Sequence, residues 1–121
     1  MAEMVLPQKL QDQLNQYEQV KSQLQVIINQ RLQLEALKKE TESALKHLSD
    51  LEEGSRVYKG AGSLLIEVKD TEKLKEEMEE EMESLEIRIN SLKKQEEALK
   101  KRFEELGDRI NEEIKRLSGA G

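Results

Sequence analysis

Catalysis or metal binding needs a nucleophile, a base or a ligand held beside a partner, and few residues of this 121-residue chain qualify. His47 is the single histidine. It falls between Leu45 and Leu48, off the apolar stripe of a helix, and reads as a solvated surface residue rather than a base or metal ligand. Glu76-Glu77 and Glu79-Glu80-Glu81 gather carboxylates, as a divalent cation would require. They lack the alternating oxygen ligands and turn glycine of a calcium loop and read as a solvated helix face. Gly60 and Gly62 could open a phosphate loop, but no third glycine, Lys-Ser/Thr pair or directly following helix accompanies them. With zero cysteines, thiolate catalysis, disulfides and cysteine zinc sites are excluded. No nucleophile, base and pocket can be assembled from these residues, so neither an enzyme nor a cofactor is expected.

The remaining charges of interest, Arg31, Lys38 and Glu96, sit inside an apolar repeat, where polar layers usually set register. That repeat defines two helices. In the first, a positions are Leu10, Tyr17, Leu24, Arg31, Lys38 and Leu45, and d positions are Leu6, Gln13, Val20, Ile27, Leu34, Thr41 and Leu48. In the second, d positions are Met78, Leu85, Leu92, Leu99, Leu106 and Glu113, and a positions are Met82, Ile89, Glu96, Phe103, Ile110 and Leu117. Pro7 suits the first turn of helix one, Gly54 a C′ stop, and Asp70 or Thr71 the N-cap of helix two. Gly107 weakens helix two by about 1 kcal/mol relative to alanine.

Composition agrees with a seam rather than a thick core: aromatics make up 2% and charged residues 38%. The net charge of −6, without a basic stripe, argues against nucleic acid. Apolar runs such as Val26-Ile27-Ile28 are far too short for a membrane span. No secretory h-region follows Met1, so a cytoplasmic location is expected.

Between the helices, Val57 to Lys59, Gly60-Ala61-Gly62-Ser63 and Leu64 to Val68 predict one β-hairpin. With Gly60 to Ser63 as loop, Lys59 pairs with Leu64, Val57 with Ile66 and Ser55 with Val68. One face then carries Val57, Leu64, Ile66 and Val68, and the other sets Tyr58 opposite Leu65 and Arg56 opposite Glu67. In an antiparallel coiled coil Val20 would share a layer with Phe103, Leu34 with Ile89 and Leu45 with Met78. The midpoint of each such pair falls between Ala61 and Gly62, so arms and hairpin point to one turn. An isolated two-stranded hairpin is marginal and its edges invite pairing. The expected fold is therefore predominantly α: a long antiparallel two-helix coiled coil joined by one β-hairpin that assembles between chains into a β-barrel. The expected divisions are 1–54 for the lead-in and first helix, 55–69 for the hairpin, and 70–121 for the second helix and tail.

The opening Leu6-Pro7-Gln8, the segment Val57-Tyr58-Lys59-Gly60-Ala61-Gly62-Ser63-Leu64-Leu65-Ile66 and the later Glu86-Ile87-Arg88 resemble, over essentially the whole chain, the β-type subunits of the prefoldin family found in archaea. One hairpin, where α-type subunits have two, selects the β type. The resemblance implies an ATP-independent chaperone, a hexamer of two α-type and four β-type subunits whose hairpins form a double barrel. Its coiled-coil tips would grip unfolded clients and pass them to a group II chaperonin. It implies assembly through Val57, Tyr58, Leu64, Leu65, Ile66 and Val68, and client contacts among Met4, Val5, Leu6, Leu10, Ile114 and Leu117. A structural coiled-coil spacer or adaptor in a hetero-oligomer is the alternative. Apolar tips without oriented polar anchors favour the chaperone.

Overall fold

The computed structural model describes residues 6–119. Helix α1 spans Gln8–Ser49, strands β1 and β2 span Val57–Ala61 and Leu64–Val68, and helix α2 spans Thr71–Leu117. The chain divides into two compact units. A terminal unit draws on Met1–Arg31 and Ser91–Gly121, and a hairpin unit comprises Leu32–Asn90.

The helix ends follow from local chemistry. The Pro7 carbonyl accepts the Gln11 backbone N–H at 3.0 Å, opening α1 without requiring a proline donor. Asp70 caps α2, its Oδ1 accepting the Lys73 N–H at 3.1 Å. Glu72 in the first turn of α2, and Lys115 and Arg116 in its last, complement the helix dipole.

Helix α1 stops at Ser49, short of the expected end at Gly54. The Asp50 N–H is shared between the carbonyls of Lys46 and His47, at 3.1 and 3.3 Å. Gly54 does adopt a left-handed φ of 87°. It uses that freedom in a turn after the helix, where the Ser55 N–H bonds the Glu52 carbonyl at 3.1 Å. A positive φ at the third position of a four-residue turn is the type II requirement.

In the terminal unit, Leu10, Val20, Leu106 and Ile110 are buried together with the carboxylate-bearing Glu96 and Glu113. Tyr17 stacks on Phe103 with ring centroids 4.3 Å apart and planes 17° from parallel, joining positions expected in adjacent layers. In the hairpin unit Leu85, Ile89 and Thr41 are buried. The Thr41 hydroxyl is satisfied by the Leu37 carbonyl one turn back, at 3.0 Å. Among the described residues, every buried side chain lies at an a or d position of the repeat. None of the large ones is wholly sealed from solvent, as a seam two helices wide dictates.

The hairpin corrects the expected register by two residues. The pairs are Val57 with Val68, Tyr58 with Glu67, Lys59 with Ile66, Gly60 with Leu65 and Ala61 with Leu64. The loop is therefore only Gly62-Ser63. Gly62 has φ 61° and, among the described residues, none other than glycine has a positive φ, so Ser63 does not, the pattern of a type II′ turn with glycine first. This tight turn matches strand twist and gains the Gly60 and Ala61 ladder pairs that a four-residue loop would forfeit. Because the shift is an even number, each side chain keeps its face. Val57, Leu64, Ile66 and Val68 share one side, while Tyr58 and Leu65 share the other.

Candidate interaction surfaces

Within the hairpin unit, β1 and β2 form a two-stranded sheet by themselves, so each strand has one edge without a sheet partner. Leu64, Leu65 and Ile66 expose 65, 76 and 53% of their surface, and Tyr58 is also exposed. Val57 and Val68 are half-buried at the open ends of the strands. An open groove of about 700 Å³ lies beside the sheet, its apolar lining including Leu48, Leu51, Val57, Leu74 and Met78. His47 also lines this groove and is exposed. All six expected assembly residues are thus on the hairpin, and the four largest face solvent in the single chain.

The terminal unit separates the expected client-contact residues. Leu6, Ile114 and Leu117 are exposed at 38, 48 and 49%, whereas Leu10 is buried at 3%. Met4 and Val5 lie outside the described residues. Leu6 precedes the first residue of α1, so its apparent d position is not a place on the helix. Sequence reasoning did not single out the exposed Val26 and Leu32 of α1 or Ile87 of α2. Their signal was present: each is an apolar residue at an outward position of the repeat.

Charges along the seams are paired. In the terminal unit, Arg31 Nε donates to Glu96 Oε1 at 2.6 Å, and Lys100 Nζ lies 3.2 Å from Glu96 Oε2. The Arg31 guanidinium, seconded by Lys100, holds the Glu96 carboxyl below its usual range against the opposing effect of burial. Glu113 is likewise lowered, chiefly by Arg116 and also by Lys9, whose Nζ is 3.5 Å away. In the hairpin unit Lys38 donates to Glu86, which raises the lysine pKa. Among the described residues no group of His, Cys, Asp or Glu is arranged to hold a metal ion, and no helix is long and apolar enough to cross a membrane.

A family model described as "Prefoldin subunit" matches residues 11–116. The chain belongs to the prefoldin family. It is similar to prefoldin subunit beta of Archaeoglobus fulgidus, 39% identical over 82 residues that cover 68% of this chain and 70% of the relative. Against prefoldin subunit beta of Pyrobaculum islandicum the identity is 35% over 115 residues, 95% of this chain and 91% of the relative. The crystal structure of the prefoldin beta subunit from Thermococcus strain KS-1 superposes with a TM-score of 0.77 at 30% identity, covering 91% of this chain and 96% of that one. These likenesses are to β-type prefoldin subunits, the type that a single hairpin between two helices had indicated. The exposed hairpin and the apolar terminal end are accordingly features of a prefoldin subunit.

Proposed function

We propose that this prefoldin subunit is the β-type component of a cytoplasmic, ATP-independent holdase containing two α-type and four β-type subunits. The complex would capture unfolded proteins and hand them to a group II chaperonin. In this reading the protein performs no catalysis. Its hairpin joins those of neighbouring subunits through Val57, Tyr58, Leu64, Leu65, Ile66 and Val68, and its terminal unit contacts clients.

The observation that carries the client-binding reading is the exposure of Leu6, Ile114 and Leu117 in the terminal unit. Burial of apolar surface is non-directional, which suits capture of chemically unrelated clients, and several weak contacts on one client reinforce each other through effective concentration. Leu10 contributes to the seam in this conformation, so capture is assigned first to the three exposed side chains. Met4 and Val5 remain candidates beside them.

The test is a variant with Leu6→Ser, Ile114→Ser and Leu117→Ser, checked for parent-like helicity and assembly. It is expected to lose most suppression of aggregation for several unrelated denatured clients. Undiminished suppression by the assembled variant would place capture elsewhere and favour a spacer role.

A further inference from the structure

Three of the ion pairs that bridge α1 and α2 share one sense. Lys9–Glu113 and Arg31–Glu96 in the terminal unit, and Lys38–Glu86 in the hairpin unit, each take the cation from α1 and the carboxylate from α2. Arg31 and Lys38 occupy a positions of α1, Glu96 an a position of α2 and Glu113 a d position. These charges suit a register-setting role within the chain, and the strand pairing closed by the two-residue Gly62-Ser63 loop contributes to the same end.

A different role follows from what the same helices would meet in another copy of the chain. In a parallel pairing of like helices, a residues face a residues and d residues face d residues. Two α1 helices would set Arg31 against Arg31 and Lys38 against Lys38. Two α2 helices would set Glu96 against Glu96 and Glu113 against Glu113. In the chain's own seam Arg31, Glu96 and Glu113 are largely covered and each has an opposite charge beside it. In a like-helix pairing, those layers would contain charges of one sign, partly withdrawn from water, with no compensating partner in the layer.

We propose that the seam charges form a pairing code, cations on α1 and carboxylates on α2, that makes α1 reject a second α1 and α2 reject a second α2. The partner addressed is another copy of this chain, and the outcome is refusal. The code acts on any two copies. Its consequence within an assembly, that neighbouring subunits held at high local concentration do not zip their like helices together, rests on the assembly proposed above.

The chain has no cysteine, so Leu24→Cys, at an a position of α1, provides a single reporter. Parallel α1–α1 contact would bring two such cysteines into one layer. Under mild oxidation, a chain also carrying Arg31→Leu, Lys38→Leu and Glu96→Leu is expected to form the intermolecular disulfide about tenfold faster than the parent with the same reporter. Lys38→Leu alone, which leaves Arg31–Glu96 intact, is expected to move the rate in the same direction. No increase in either chain overturns the proposal. The reversed pair, Arg31→Glu with Glu96→Arg, still sets like charges against each other in every such layer of a like-helix pairing and is expected to retain the parent rate and helicity. A rate matching the charge-stripped chain overturns the proposal equally. All these proteins have the same hairpin, so a failure of hairpin assembly would affect them alike and is distinguished by the Leu65→Ala measurement below.

Discussion

Replacing Leu65 by alanine separates assembly from folding. Leu65 is 76% exposed in the single chain and faces Gly60 across the sheet, so it makes little contact that the isolated fold would lose. Fully burying a leucine is worth about 1.5–3 kcal/mol. Three quarters of that side chain, less what an alanine methyl retains, gives about 1–2 kcal/mol per hairpin if assembly covers it. Each contact would weaken by a factor of about 5 to 30, and the factor compounds because every β-type subunit carries the change. Helicity and melting of the unassembled chain are expected to stay near the parent. Sedimentation over a concentration series, with native mass spectrometry of the same samples, reads the shift toward smaller species. Assembly at the parent's concentrations would show that the hairpin's exposed leucine is not in the interface.

Two further perturbations probe the terminal unit. Gly107 is in α2 without a positive φ, and a Cβ there would lie 3.6 Å from Tyr17 Cε2, an ordinary contact. Gly107→Ala is expected to stabilise the chain by about 1 kcal/mol, seen as a higher melting temperature by circular dichroism; a lower one would show that the Tyr17–Phe103 stack cannot accept the methyl. The lowered pKa of Glu96, caused first by Arg31 and then by Lys100, gives stability that is present above the ordinary glutamate range and lost as pH falls through the folded-state value. Relative to Glu96→Gln, the parent should therefore melt higher at neutral pH and lose that advantage on acidification. A difference independent of pH would mean that the ion pair is not its source.

The seam was legible because burial in a two-helix structure follows a strict repeat, and Leu10, Val20, Leu85, Ile89, Leu106 and Ile110 are all on it. The presence of a hairpin was legible from its glycines and β-branched residues, and the face of each strand residue from parity. The loop was not, because glycines at both 60 and 62 fit a four-residue or a two-residue connection, and the two registers put the same residues on the same faces. Only the preference for a twist-matched II′ turn separates them. The end of α1 was misplaced for a related reason: a left-handed Gly54 serves either as a helix C′ residue or in a later turn. The terminal surface was partly legible. Leu6 and Leu10 look equivalent in the repeat, but the helix begins at Gln8, leaving one exposed and the other packed in the seam. His47, without a partner for chemistry in the sequence, lines only an open groove in the fold.

The central claim, capture of non-native protein without nucleotide, is tested most directly by diluting a chemically denatured client into the purified complex and following light scattering with and without ATP. The account predicts that aggregation falls with the amount of complex, reaches the same level whether or not ATP is present, and does so for clients unrelated in sequence. Scattering unchanged by the complex, or suppressed only when ATP is supplied, would contradict it.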